Sequence, residues 1–320
     1  GLVGSDEIEY SVTRKAGEAV GTYAITASGA AEQGNYTVTY VPSTFTITPS
    51  SGLTVSGTDY DAAYDGSEHG TAATASVTEG TTISYSTDGG QTWSTDYPTI
   101  KNVGTINVTV KAENPNYATA TSSYVLNVST KEVTVTANAA SKTYGETDPE
   151  LTATVTGLIG SDVVSYDVTR ETGEAVGTYA ITPSGEEIQG NYKVVYKPGT
   201  FTINQASGLT VSGTSYSGAY DGNVHGTAAT TNVTEGTTIS YSTDGGQTWS
   251  PNYPTITNVG TINVTVKAEN PNYETAQNTY TLEVTRKAVT VTANNAGKYV
   301  GDDDPIITAT VDGLVGTDAI

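Results

Sequence analysis

A 156-residue internal repeat governs what this chain can fold into. Residues 1–10 (GLVGSDEIEY) return as 157–166 (GLIGSDVVSY), and the same offset relates Phe45 to Phe201, His69 to His225, Trp93 to Trp249 and VTVTAN at 133–138 to VTVTAN at 289–294. Two blocks are identical in both copies, TTISYSTDGGQTW from Thr81 and Thr237, and VGTINVTVKAENPNY from Val103 and Val259. A fixed period of this kind is the signature of an array, in which stability comes from each unit and its neighbours.

Each 156-residue unit divides again. The junctions read TFTITPSSGLTVSG and TFTINQASGLTVSG on one side, and LNVSTKEVTVTAN and LEVTRKAVTVTAN on the other. This gives two alternating segment types, with complete copies at 50–130, 131–205 and 206–286. Residues 1–49 align with 157–205, the later part of the second type, and 287–320 align with 131–164, its beginning. The expectation is a window in a longer periodic polypeptide, with strand completion between neighbouring chains as the alternative.

The periodicity is that of strands. Apolar and polar residues alternate in Val133-Thr-Val-Thr-Ala, Ile106-Asn-Val-Thr-Val-Lys-Ala, Thr44-Phe-Thr-Ile-Thr and Tyr192-Lys-Val-Val-Tyr, and no stretch follows a helical period. Threonine is β-branched and presents a hydroxyl to water, so it suits the outer face of a sheet. That explains how strands form at 36% hydrophobic residues. Turn signals fall at Glu79-Gly80, Asp88-Gly89-Gly90, Asn114-Pro115-Asn116 and Gly34-Asn35. The predicted fold is all-β, an elongated tandem array of small antiparallel β-sandwich (immunoglobulin-like) modules.

Composition narrows the chemistry. Thirteen Lys and Arg against 34 Asp and Glu give a net charge of −21, which disfavours nucleic acid and anionic membrane surfaces. Cysteine and methionine are both absent, which removes disulfides, thiolate metal sites and cysteine nucleophiles. No apolar run approaches the roughly 20 residues of a membrane span, and no signal peptide or anchor is expected within the sequence. Two histidines remain. His69 and His225 lie in turn sequences and lack the further donors zinc needs, so each is expected to be a hydrogen-bonded turn residue. No nucleophile-elbow sequence occurs, and the chain is expected not to be an enzyme.

Ser86-Thr-Asp88-Gly-Gly-Gln-Thr-Trp93, repeated at Ser242–Trp249, resembles the Asp-box hairpin of sialidases and many other β proteins. In sialidases this hairpin lies away from the catalytic site. The structural reading makes Asp88 a turn-closing carboxylate. The competing reading makes Trp93 and Trp249 platforms for glycan stacking. Asp148 and, in the next copy, Asp302, Asp303 and Asp304 are the candidate calcium donors, with Asp162 or Asp318 as a possible addition. The leading expectation is nevertheless no metal and no cofactor. Lys111 and Lys267 are expected as exposed strand lysines, the alternative being intramolecular isopeptide bonds.

Lys142-Thr-Tyr-Gly-x-x-Asp-Pro-x-Leu-Thr152, then Gly157-Leu-x-Gly-x-Asp162, Val176-Gly-Thr-Tyr-x-Ile181, Gly190-Asn-Tyr192 and Phe201-Thr-Ile203 are similar to the MBG repeat (YGX type) of large bacterial surface proteins. Val300 departs from the pattern where tyrosine is expected. The other segment type, through Tyr64-Asp-Gly-x-x-His69, Ile83-Ser-Tyr-Ser86 and Tyr117, resembles the bacterial immunoglobulin-like repeats found beside it. The resemblance implies an extracellular adhesin or fibre segment with no catalytic residues. Its expected partners are neighbouring modules of the same or adjacent chains and, on the alternative reading, host or matrix glycans.

Overall fold

The computed structural model describes residues 1–319. All regular structure among them is β, in 27 strands. The chain groups into two units. The first holds Gly1–Val135, Val155–Asp167 and Ser184–Tyr196, and the second holds Thr136–Thr154, Val168–Pro183 and Lys197–Ile320.

In the first unit the principal sheet orders its strands as Tyr60–Ala63, Tyr117–Ser129, Gly104–Asn114 and Thr82–Ser86. Its centre is one long antiparallel hairpin that places Val108 opposite Tyr124 and Ala112 opposite Ala120. Alternation does what the sequence pattern predicts. Val108, Val110, Ala112, Tyr124, Leu126 and Val128 are buried, and Thr109, Lys111, Val125 and Asn127 between them lie on the other face. In the second unit the strands Tyr216–Ala219, Tyr273–Thr285, Gly260–Asn270 and Thr238–Ser242 form the same sheet around Val264, Val266, Leu282 and Val284.

Residues 131–205 contribute two further sheets. One orders Ala153–Thr156, Lys131–Ala137, Tyr192–Lys197 and Ile188–Gln189; the other orders Ala140–Thr143, Gly199–Asn204, Gly177–Ser184 and Asp167–Arg170. Residues 1–49 form a three-stranded sheet of Ser11–Arg14, Gly21–Ser28 and Ser43–Ile47, and Thr290–Ala293 pairs with Ala309–Asp312.

The sheets are mixed where antiparallel ones were expected. Tyr60–Ala63 runs parallel to Tyr117–Ser129, Tyr216–Ala219 to Tyr273–Thr285, and Ala140–Thr143 to Gly199–Asn204. In each case an early strand of a segment joins its last strand. The two are far apart in sequence, so no hairpin turn dictates their direction.

Glycine and tyrosine pack as partners at several positions. A methyl group at Gly57 would overlap the Tyr124 ring, and one at Gly213 would overlap Tyr280. The rings lie directly on the glycine backbone, so a large side chain fills a shallow core. Gly57→Ala is therefore an overpacking change, with an expected cost of about 1–3 kcal/mol. Thermal unfolding of that variant against the parent checks it.

Candidate functional site

Side-chain contacts cluster where successive segments meet, and those made by Asn116 recur at Asn272. Thr130 is the only residue between strands Tyr117–Ser129 and Lys131–Ala137. No flexible linker separates the segments there. Tyr192 and Val133 belong to the same apolar core as Val108 and Leu126, with Leu158 and Ile159 packed against it.

Polar contacts reinforce this first junction. The Tyr192 hydroxyl donates to Asp162 Oδ2 at 2.7 Å and that of Tyr64 to the same oxygen at 3.3 Å. The two rings meet edge to face with centroids 5.6 Å apart, and the Ile159 N–H donates to the Tyr192 oxygen at 3.0 Å. Burial, then the contact with Asp162, raises the phenol pKa of Tyr64 and Tyr192, so both stay neutral donors. Asn191 ties the same junction through its side chain to Val103 N–H at 2.9 Å and to Asn102 at 3.1 Å.

The second junction uses the turn Asn114-Pro-Asn116. Asn116 accepts Ser50 N–H on its carbonyl at 3.0 Å and Val20 N–H on its side chain at 3.1 Å. The equivalent Asn272 accepts Ala206 N–H at 3.0 Å and Val176 N–H at 2.9 Å. Tyr144 adds an edge contact to Tyr273, with centroids 5.5 Å apart. Asn270 holds the turn in place, because its side-chain amide donates to the Glu235 carbonyl and the Thr237 hydroxyl, both at 2.9 Å. From sequence Asn116 stood only as a turn residue and Asn191 only within the repeat pattern, and no bond across a junction was expected of them or of Asn272. The identity of the Asn-Pro-Asn-Tyr block between copies is the signal available for Asn116 and Asn272.

Asp148 sits in an ion quartet. One carboxylate oxygen meets Lys142 Nζ at 2.7 Å and the other meets Arg170 Nε at 2.6 Å. Glu174 also pairs with Lys142, and with Arg170 at 2.6 Å. Lys142 is 4% exposed and Arg170 9%, and the guanidinium lies 4.7 Å over the Phe201 ring. The Arg170 and Lys142 contacts hold the Asp148 pKa down to about 2. Both oxygens of this calcium candidate thus face cations, which is the opposite of what a calcium ion requires of a donor. In the next copy Asp304 pairs with Lys298 at 2.6 Å, the Asp302 carbonyl accepts from Lys298 Nζ at 3.1 Å, and Asp303 is exposed. Among the described residues no three acidic or histidine side chains are grouped closely enough to hold a metal.

Asp88 closes its turn in the manner anticipated. It accepts from the N–H groups of Gln91 and Thr92 at 2.9 and 3.0 Å and from the Thr92 hydroxyl at 2.6 Å. Gly89 and Gly90 take positive φ there, 74° and 91°. Trp93 folds back, donating to the Gly90 carbonyl at 3.1 Å, and Lys111 Nζ lies 4.6 Å over its ring. Trp249 carries Lys267 in the same way at 4.5 Å, so one face of each candidate sugar platform is already covered. Lys111 and Lys267 are partly buried by this stacking rather than exposed, and pair with Glu113 and Glu269, each at 3.0 Å. His69 bonds Asp65 and stacks on Tyr60, and His225 does the same with Asp221 and Tyr216.

The family model for the MBG domain (YGX type) matches residues 1–46, 133–202 and 289–320. These stretches are similar to that family, and the intervening segments lie outside the matches. No curated protein matches the chain. Among solved structures, the human desmocollin-1 ectodomain is 9% identical, with 86% of this chain and 70% of that one covered and a TM-score of 0.27. Three immunoglobulin domains of titin, I67–I69, are 12% identical over 72% of this chain and 96% of that one, at 0.29. The protocadherin γB4 ectodomain is 9% identical over 97% and 67%, at 0.30.

Proposed function

We propose that this chain is a structural repeat segment of an extracellular bacterial surface protein, an adhesin stalk or fibre in which MBG domains alternate with immunoglobulin-like modules. The boundaries are those read from the repeat, with alternating modules at 50–130, 131–205 and 206–286. The observation that carries the reading is the pair of direct clamps between segments. Asn116 and Asn272 repeat the same two backbone bonds, and a single residue joins strands at the other junction. A chain selected for reach benefits from junctions that do not bend, because a flexible chain extends only as the square root of its length.

The chemistry of the surface fits this role. Asp88, Asp148 and Asp221, whose pKa values are lowered, are already engaged by turn donors or ion pairs, so their perturbation reflects architecture rather than catalysis. The net charge of −21 keeps neighbouring stalks apart by repulsion at low salt.

Small-angle scattering tests the proposal. A chain that doubles this one by adding two further 156-residue repeats should show close to twice the maximum dimension. An increase near the square root of two, or a compact particle, contradicts it.

A further inference from the structure

Where segment 131–205 meets segment 206–286, a pocket of about 330 Å³ opens beside the Asn272 clamp. Tyr144 of the first segment lines it together with Val233, Glu235, Asn270, Asn272 and Tyr273 of the second. All of these residues belong to complete segments and to the second unit. The volume lies at the lower end of the range of small-molecule sites. Neither segment forms the pocket alone.

Its walls are fixed before any ligand arrives. Asn270 is 8% exposed. Its amide donates to the Glu235 carbonyl and the Thr237 hydroxyl, and its side-chain oxygen accepts the Asn272 N–H at 3.0 Å, which locks both loops of the second segment together. Tyr144 and Tyr273 are half-buried and meet at an interplanar angle of 71°, so the two aromatic walls face different directions. A site ordered in this way loses little conformational freedom on binding.

The lining also carries hydrogen-bonding groups that the fold leaves unused. The Asn272 side chain gives its oxygen to the Val176 N–H and keeps both amide hydrogens. Glu235 is bonded through its carbonyl and not through its carboxylate, and the hydroxyls of Tyr144 and Tyr273 bond to no other group among the described residues. Amide donors, phenols that donate and accept, and a carboxylate that only accepts thus stand around one cavity. A sugar ring matches this set, because each hydroxyl both donates and accepts while its C–H face packs on an aromatic ring. An anion is opposed by Glu235 and by the net charge of −21. An ammonium group only donates, so it leaves the Asn272 amide unanswered.

We propose that this junction pocket binds a neutral saccharide unit, at a site separate from the Trp93 and Trp249 faces. Glu79, Asn114, Asn116 and Tyr117 repeat Glu235, Asn270, Asn272 and Tyr273, so the second-segment wall returns every 156 residues and weak single contacts gain avidity along an array. This activity goes beyond a stalk role and is read by ligand binding, so its failure leaves the scattering test untouched.

Titration by saturation-transfer NMR provides the test, using the 1–320 chain and the methyl glycosides of glucose, galactose, mannose, N-acetylglucosamine and N-acetylgalactosamine. N-Acetylneuraminic acid and butylamine serve as the anionic and cationic comparisons. The expected result is transfer to at least one neutral glycoside and to neither charged probe. Glu235→Gln, at an exposed position whose backbone carbonyl is retained, should weaken binding about tenfold through loss of a charge-assisted hydrogen bond. Tyr144→Val removes the wall supplied by the first segment, using the residue that the sequence itself carries at the equivalent position 300, and should abolish binding. The double variant Trp93→Ala, Trp249→Ala should bind like the parent. No transfer to any neutral glycoside overturns the proposal. So does preference for either charged probe, binding insensitive to both Glu235→Gln and Tyr144→Val, or binding lost with the two tryptophans.

Discussion

Replacing Phe201 by alanine is expected to lower stability by about 3–5 kcal/mol, the cost of removing a fully buried aromatic ring from a core that cannot collapse around the gap. Phe201 is one of only four buried residues in its cluster, with Ala137, Ile181 and Ile203. It also supports the Arg170 guanidinium 4.7 Å above it, so the ion quartet loses its floor. The same substitution at Phe45, one repeat earlier, provides an internal control. That ring is 42% exposed, and its removal should cost about 1 kcal/mol or less. Calorimetry on the two variants checks the contrast. Equal losses would mean that position in the repeat alone decides the energetics.

Acid provides the second large effect. Asp148 and Asp221 are held at about 2, the first by Arg170 and Lys142, the second by the Asn223 N–H and His225. Asp88, Asp244 and Glu174 are also lowered, by the turn donors around the two aspartates and by Lys142 and Arg170 around the glutamate. A carboxylate whose folded pKa is depressed contributes stability above its unfolded value, near 4, and loses it as pH falls through the folded value. The unfolding temperature should therefore change little from pH 7 to about 4.5 and fall steeply between about 4 and 2. Lys142→Met together with Arg170→Met removes the cations that hold Asp148 and Glu174 ionised. Their part of the acid loss should then disappear, leaving that of the Asp88 and Asp244 turns. A loss that sets in above pH 5 would show that other groups govern the transition.

Much of the architecture was legible in the repeat and its alternation. The strands around Val108, Val133 and Phe201 follow from the period-two pattern, because a half-buried sheet leaves no other place for alternating apolar residues. The turn around Asp88 followed from its glycines, which alone accept positive φ without strain. The parallel edge strands were not legible, since Tyr60–Ala63 and Tyr117–Ser129 are brought together by the fold, with no local signal of direction. Asp148 stood as a calcium candidate, behind the leading expectation of an ordinary turn without metal, because a carboxylate beside proline in a turn says nothing of cations that arrive from other strands. Lys142 and Arg170 lie 28 residues apart in sequence and converge only through the sheet. The clamps of Asn116 and Asn272 escaped for the same reason, their partners Val20 and Val176 each lying 96 residues away.

The absence of cysteine permits a direct test of the account, which holds that successive segments are joined without a free hinge. Spin labels at Tyr97→Cys and Val163→Cys, both exposed positions of the first unit, report across the junction that Tyr64, Asp162 and Tyr192 close. Pulsed dipolar spectroscopy should give one narrow distance distribution, which broadens when Tyr192→Ala removes the shared core residue. A distribution already broad in the parent chain, and unchanged by that substitution, would contradict the account.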